Sequence, residues 1–385
     1  EDAVKTALDS NLSVRSAYME VRANKALRGA SLDLPKTDLE AEYGQFNSYN
    51  KDNSVTVSQS FAFPSVYINK RKLAQANTAR SEYSFEVSRL DVSNQVKQVY
   101  WHYVFMAEKL KLLSYQDSLF QGFLRAAELK AKAGETNRLE MITARSQSME
   151  IRNKRLQVIA DLDILSKKLA LLLNSEKVIP SEEGLRKISY DGSADSNRIE
   201  NNPSLGLAFQ KAEIARVEKK LERSQAMPDL SLGWFSQTIT GTQEVNGVAR
   251  DFGRDYRFNG VQAGISIPLW IAPFTARSKA AAIRENAART DAEYVRKNIT
   301  GSLSTLYEEL GKYSSAVEYY EKQAVPEAET IIEQAQLSYR AGAMDYTDYM
   351  LMLNRAIDIR MNYLEAINNY NQTIISIDYV TGKIL

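Results

Sequence analysis

Few side chains in this sequence have the type and spacing that chemistry at a site requires. His102 is the only histidine, and the 385 residues contain no cysteine. Disulfides and cysteine-based zinc sites are therefore excluded. Glycine-rich phosphate loops, Ser-His-Asp sets and zinc-ligand spacings are absent, and the carboxylates are too scattered to nominate a catalytic pair. We expect no enzyme, no cofactor and no resident metal site.

Two acidic residues nevertheless stand at equivalent places. Glu140 lies six residues after Gly134, and Asp348 lies six residues after Gly342, at an offset of 208 that also aligns Lys132-Ala133-Gly134 with Arg340-Ala341-Gly342. Near a helix start, such carboxylates are ordinarily solvated charges favoured by the helix dipole. The nine methionines include Met344, Met350 and Met352, and gap filling between helices is their usual role.

Composition narrows the class of protein. A hydrophobic fraction of 44% and a charged fraction of 25% are typical of a folded chain. The net charge of +1 predicts no nucleic-acid partner. No run of 18 apolar residues predicts a transmembrane helix. Glu1 begins on a helical pattern without a signal peptide, as a chain with a removed leader would.

The elements that must position these residues begin with two hairpins. Apolar and polar residues alternate in strands predicted near 37–46, 54–63, 229–239 and 258–268. Transmembrane β-strands of about 9–11 residues show only this alternation, whereas a soluble hairpin pair packed on helices remains the alternative. Gly241 to Arg257 reads as a solvated loop.

Long helical tracts surround the hairpins. Val66 to Ala133 predicts a very long helix with a break near Ser118, followed by a helix from Leu139 to Leu173 in coiled-coil spacing. Phe274 to Gly342 predicts a second long tract that Pro326 breaks or kinks. The chain therefore reads as two repeats, residues 1–173 and 202–385, joined by a connector at 174–201. Four strands cannot close a membrane barrel, which needs about eight, so a membrane location implies oligomerisation.

Several short motifs then carry a resemblance to a family. They are Asn202-Pro203-Ser204-Leu205, Pro228-Asp229-Leu230, Ile267-Pro268-Leu269 and Pro326…Tyr339-Arg340-Ala341-Gly342…Asp348. Together with the two-copy plan, they resemble TolC-type outer-membrane efflux ducts over essentially the whole chain. The first hairpin, with Asp33-Leu34-Pro35 and Phe63-Pro64-Ser65, resembles the branch that serves heavy-metal resistance-nodulation-division (RND) pumps.

The resemblance implies a mainly α fold with a β-barrel portion. Tandem helix-strand-strand-helix-helix repeats would form a homotrimeric α-helical barrel across the periplasm, capped by a shared 12-stranded barrel in outer-membrane lipid. A periplasmic adaptor and an inner-membrane RND pump, in some bacteria fused to the duct, would dock at the far end. The function implied is passive conduction of solutes, here heavy-metal cations.

The same resemblance assigns roles to residues near the two helix–helix turns. The periplasmic tips and adaptor-docking residues would be Gly134, Glu135, Thr136 and Asn137, and Gly342, Ala343, Met344 and Asp345. Glu140 and Asp348 would line the constriction, and Tyr339 would hold the closed tip. Leu351 departs from the family pattern, because some relatives carry a second acidic ring there. Met344 stands where some relatives carry a basic latch residue.

Other functions remain open at this stage. The same fold serves drug efflux and type I secretion. A soluble coiled-coil scaffold would need no detergent, and a barrel with enzymatic or receptor function would need a site that the sequence does not show.

Overall fold

The computed structural model describes residues 2–133, 138–176, 184–190 and 196–385. The first half contains α1 (Asp2–Ser10), α2 (Leu12–Leu27), β1 (Asp38–Gly44), β2 (Asp52–Phe61), α3 (Pro64–Ala133) and α4 (Arg138–Leu172). The second half contains α5 (Pro203–Ser224), β3 (Asp229–Gln237), β4 (Gly241–Val245), β5 (Val248–Phe252), β6 (Phe258–Ser266), α6 (Ala272–Tyr319), α7 (Val325–Arg340) and α8 (Tyr346–Val380). The predicted fold class, mainly helical with a strand pair in each copy, is confirmed.

The chain forms two compact units, and each takes segments from both halves. A tip-bearing unit contains Glu1–Tyr18, Ser84–Leu205 and Arg296–Leu385. A strand-bearing unit contains Met19–Tyr83 and Gly206–Val295. The repeat boundaries at residues 173 and 202 stay a prediction, because these units follow packing and not the duplication.

The duplication is visible in the way that helices end. Asn174 and Gly382, which are 208 residues apart, both adopt positive φ, 49° and 79°. At each of them two backbone N–H groups satisfy carbonyls of the preceding helix, Ser175 to Ala170 at 2.9 Å and Lys383 to Asp378 at 2.7 Å being the longer loops. This pattern is a left-handed C-cap, which a helix uses to satisfy its last carbonyl groups. The two copies therefore share local backbone geometry.

Two asparagines tie each of these helix ends to the start of another helix. Asn11 Oδ1 accepts from the backbone N–H of Ser13 at 2.9 Å, and its Nδ2 donates to the carbonyl of Leu172 at 2.9 Å. Asn202 Oδ1 accepts from Ser204 N–H at 2.8 Å, and its Nδ2 donates to the carbonyl of Val380 at 2.9 Å. One side chain thus serves as N-cap and C-terminal partner in both copies.

The four predicted strands form one antiparallel sheet in the order β1-β2-β3-β6. One register row crosses all four strands and joins Leu39, Val57, Trp234 and Val261. The neighbouring row joins Glu40, Thr56, Phe235 and Gly260 on the opposite face. The alternation in sequence therefore gives the sheet one apolar face and one mostly polar face.

Three helical and loop predictions need correction. α3 runs unbroken past Ser118, so the predicted break is wrong, since nothing there removes a backbone donor. The segment read as a solvated loop, Gly241 to Arg257, contains the β4–β5 hairpin. The interruption predicted at Pro326 exists, but it is a π turn at Tyr320–Ala324 that precedes α7.

No helix within the described ranges combines the length and the apolar composition needed to cross a membrane.

Candidate functional site

The turn between α7 and α8 is built by two caps. Gly342, with φ of 72°, is the left-handed residue after α7, and the Ala343 N–H donates to the carbonyl of Ser338 at 2.9 Å. Asp345 then caps α8, because its Oδ1 accepts from the N–H of Asp348 at 2.8 Å. Glycine is favoured at such a C-cap and aspartate at such an N-cap. These caps fix the direction in which α8 leaves the turn.

Four aromatic rings hold the two helices together just behind this turn. We call Phe123, Tyr339, Tyr346 and Tyr349 the tip cluster. Tyr339 stacks on Tyr349 with ring centroids 4.8 Å apart and an interplanar angle of 12°. Phe123, from α3, meets Tyr339, Tyr346 and Tyr349 edge-on at 6.3, 6.0 and 5.2 Å. Such pairs contribute about 0.5–1.5 kcal/mol each beyond the burial of their area.

The electrostatics of the tip cluster follow from burial. Tyr349 is only 4% exposed, and burial raises the pKa of its hydroxyl above the ordinary value. Its ring is therefore neutral at physiological pH and acts as packing. The sequence predicted Tyr339 at the tip and placed Tyr349 only in a helical seam. Tyr339, Tyr346 and Tyr349 are spaced by seven and three residues, which is the signal that would have found the cluster.

The predicted gate residues of the second copy occupy one face of α8. Asp348 is exposed, and Leu351, one helical turn later, is 61% exposed. Met350, between them, is 4% exposed and packs in the core beneath the tip cluster. Met344 packs against the same core, so its side chain occupies an apolar environment. The turn thus presents a carboxylate and a leucine outward and keeps both methionines inward.

The first-copy turn is only partly described. Gly134, Glu135, Thr136 and Asn137 lie outside the described residues, as does the side chain of Glu140, whose backbone belongs to α4. Beside this turn, a groove of about 580 Å³ is lined by Glu128, Ala131, Lys132, Arg138, Met141 and Arg145. Across it, Arg145 Nη2 lies 3.2 Å from Glu128 Oε1. Of the two predicted gate carboxylates, the structure therefore positions Asp348.

A buried acidic residue that the sequence analysis missed joins α3 to α4. Asp117 is 4% exposed and accepts from Gln121 Nε2 at 3.1 Å. Its Oδ2 lies 3.6 Å from Nε of Arg155. A buried carboxylate is costly unless it is paired, so this pair fixes the register of the two helices near the tip. Within the described residues, no group of three His, Cys, Asp or Glu side chains is placed to hold a metal ion.

The sheet supplies the second candidate region, a duct wall. Its apolar face is open to the surroundings: Leu39 is 73%, Val261 79% and Ile265 67% exposed. Its polar face carries Asp38, Glu40, Glu42, Asp52 and Asp229, and no Lys or Arg within the four paired strands. Both outer strands, β1 and β6, pair on one side only. A sheet with an oily outer face and unpaired edges is unfinished as a soluble structure.

Helix α4 also shows an unfinished face. Ala144, Ile151, Val158 and Leu165 recur every seven residues and are buried within the chain. A second series, Ile142, Met149 and Leu156, recurs at the same interval but is 52%, 67% and 54% exposed. Apolar residues at this interval form a seam that packs against another helix. α4 therefore has one seam satisfied inside the chain and a second one available.

Comparison with known proteins gives a consistent result. The sequence model of the family "Outer membrane efflux protein" matches residues 196–383. The cobalt-zinc-cadmium resistance protein CzcC of Cupriavidus metallidurans is 22% identical over 321 residues, which cover 81% of this chain and 71% of CzcC.

Solved structures agree with the fold. CusC, from a study of transmembrane channel formation, matches with a TM-score of 0.81 and 16% identity over 99% of this chain and 91% of CusC. The CmeC outer membrane channel of Campylobacter jejuni matches with a TM-score of 0.78 and 16% identity over 99% of this chain and 85% of CmeC.

Proposed function

Because the chain belongs to the outer membrane efflux protein family, we propose that it is the duct of a tripartite efflux system and conducts heavy-metal cations passively. It lies in the outer membrane and extends into the periplasm. Proteins of this family are channels and not enzymes. In this proposal the two repeats, residues 1–173 and 202–385, each contribute one hairpin and one helix–helix tip, and 174–201 is the equatorial connector.

The observation that carries the proposal is the unfinished sheet. Unpaired N–H and C=O groups along a strand edge are intolerable in lipid, so a membrane sheet must close on itself. Four strands are too few to close, whereas three copies would supply the 12 strands of a closed barrel. In that barrel the exposed face of Leu39, Trp234 and Val261 meets lipid, and the acidic face lines the water-filled interior.

The second seam of α4 supports the same stoichiometry. A ring of helices requires every helix to have two packing faces, one for each neighbour. Ile142, Met149 and Leu156 provide α4 with a face for a helix of an adjacent copy. A homotrimer therefore satisfies the sheet edges and the helix faces together.

The tips form the proposed gate and docking region. In a trimer, Asp348 and Glu140 would place six carboxylates around the periplasmic mouth, where like charges repel and a bound cation relieves the repulsion. Tyr339, within the tip cluster, would hold the mouth closed, and Leu351 would extend the constriction by one helical turn. The turns at 134–137 and 342–345 would dock the periplasmic adaptor, through which the RND pump delivers its cargo.

A metal cargo is favoured by charge and by the named relative. Five acidic residues on the polar face of each sheet, without a basic residue among the paired strands, would favour cations in the barrel interior. CzcC is a cobalt-zinc-cadmium resistance protein. Soft ligands are few, so selection among metals would take place upstream.

Two measurements test the proposal. The protein extracted in detergent should have the mass of a trimer and should form pores in lipid bilayers; a detergent-free monomer would refute the duct. A deletion strain should then become sensitive to cobalt, zinc or cadmium. Sensitivity to drugs with unchanged metal tolerance would keep the duct and refute the metal cargo.

A further inference from the structure

The second long helical tract changes its geometry at one point, and the first does not. α6 ends at Tyr319, a π turn occupies Tyr320–Ala324, and α7 begins at Val325 with Pro326 in its first turn. At the positions 208 residues earlier, α3 continues as an uninterrupted α-helix. Proline cannot donate to the carbonyl four residues before it, and π turns are rare and concentrate at functional sites. The break belongs to the tract that leads to Tyr339 and Asp348.

A short extended segment, residues 184–190, lies against this break, and we call it the strap. The side chain of Asn371 on α8 is fully buried and holds the strap by two hydrogen bonds. Its Oδ1 accepts from the N–H of Ile188 at 2.8 Å, and its Nδ2 donates to the carbonyl of Arg186 at 2.8 Å. These bonds satisfy the strap backbone in the way that a neighbouring strand would. The strap is thereby anchored to α8.

The strap is also bound to the π turn itself. Glu321, within the π turn, receives Lys187 Nζ on Oε2 at 2.8 Å and the Tyr363 hydroxyl on Oε1 at 3.1 Å. Burial and the hydrogen bond to Glu321 raise the pKa of Tyr363 to about 12, so the hydroxyl keeps its proton and remains a donor. One carboxylate therefore links the strap, the π turn and α8.

Apolar packing accompanies the polar link. Leu185 of the strap packs on Val317, Ala366 and Ile367, and Tyr320 and Tyr363 pack on the same three residues. The rings of Tyr320 and Tyr363 are 6.4 Å apart. Both ends of the π turn thus have side chains fixed against the strap or against α8.

We propose that Lys187 and Glu321 are positioning residues that set the π turn and, through it, the position of the α7–α8 hairpin that carries the gate. When the strap is bound to Glu321, the π turn keeps its present bend and the tip keeps its present position. Release of Glu321 lets α7 and α8 move together about the π turn and Pro326, because α7 pairs mainly with α8. The inference rests on the proposed duct function.

The first test removes the link and keeps the fold. Lys187→Met deletes the charge that reaches Glu321, whereas Lys322→Met is its matched control. Lys322 pairs with Glu318 at 2.6 Å within the same helical tract and does not involve the strap. A half-exposed ion pair such as Lys187–Glu321 biases an equilibrium about two- to five-fold. We expect Lys187→Met to raise the open probability of the pore in bilayers by that factor and Lys322→Met to leave it unchanged.

The second test locks the link reversibly. Because the chain has no cysteine, Lys187→Cys with Glu321→Cys can be joined by a short, cleavable thiol cross-linker without side reactions. The joined protein should keep the closed conductance, and cleavage should release it. The matched control joins Glu318→Cys with Lys322→Cys, which bridges one helix and should not affect opening.

The outcomes separate this inference from the duct itself. A protein that forms no pore at all refutes the proposed function. A pore that responds to Asp348→Asn but opens equally with the strap cross-linked and free retains the duct and refutes the strap. Equal effects of Lys187→Met and Lys322→Met would also refute it.

Discussion

A lysine placed at Val261 should prevent insertion into the membrane. Val261 lies within β6, is 79% exposed, and belongs to the apolar row with Leu39, Val57 and Trp234. On the lipid face of a membrane barrel, Lys near the midplane costs about 2–4 kcal/mol. Three copies raise the cost to about 6–12 kcal/mol per trimer, which approaches the whole stability of a folded domain.

The adjacent residue provides a matched control. Gln262 is on the same strand but faces the polar side, next to Gly233 of β3. Gln262→Lys adds the same charge one residue away, where water in the barrel interior would solvate it.

The assay is the amount of trimer in the outer-membrane fraction after density separation, with a stain for total protein as reference. We expect Val261→Lys to be depleted from that fraction and Gln262→Lys to reach it at the level of the native protein. Equal insertion of both variants would show that the assignment of the two faces is wrong.

Three further outcomes follow from the tip-bearing unit. Asp348→Asn should weaken the block of the pore by divalent cations, because it removes half of the proposed carboxylates at the mouth. Asp117→Asn should lower the free energy of unfolding by about 1–3 kcal/mol, measured by denaturant titration in detergent, since it deprives Arg155 of a buried partner. The hydroxyl of Tyr379 donates to Asp91 at 2.8 Å, and burial with this bond raises its pKa from 10.0 to about 12. A raised folded-state pKa stabilises below pH 10 and loses that contribution as the pH rises from 10 to 12, so Tyr379→Phe should flatten the fall in unfolding midpoint over that interval.

Each of these outcomes has its own check. Unaltered cation block would remove Asp348 from the gate. Asp163→Asn, which breaks a pair whose side chains are 63% and 75% exposed, should change stability by less than about 0.5 kcal/mol; an equal loss in both variants would contradict the burial argument. Native protein and Tyr379→Phe with the same alkaline profile would contradict the tyrosine argument.

The features that the sequence predicted well are those encoded by a few neighbouring residues. The alignment of Asn174 with Gly382 was made at an offset of 208 residues, and both adopt the left-handed backbone that ends a helix. The four main strands follow from alternation, which is also local. Pro326 was enough to predict an interruption, because a missing N–H affects the helix wherever it packs.

One error had a signal that was overlooked. The β4–β5 hairpin turns at Asn246-Gly247, both with positive φ, 56° and 75°. Asn-Gly between two valines, Val245 and Val248, is a strong local indication of a two-residue hairpin turn. The surrounding Asp, Arg and Gly residues led instead to the prediction of a solvated loop.

Other features required the third dimension. Phe123 reaches Tyr349 only because α3 packs beside α8, more than 200 residues later in the sequence. The strap at 184–190 read as an irregular connector, and nothing in its sequence shows that Asn371 would bind its backbone. The position of the π turn, ahead of Pro326 and not at it, depends on the partners of Glu321 in the same way.

The pairing of β2 with β3 has a consequence for folding. These central strands come from different halves of the chain, with Val57 opposite Trp234, so the sheet cannot begin to join until most of the polypeptide has emerged. Contacts between such distant residues are slow to form, and the first hairpin must wait with an oily face and a free edge, the features that promote aggregation. The two halves, although duplicated, are therefore interdependent during biogenesis, and we expect either half expressed alone to require a holding chaperone.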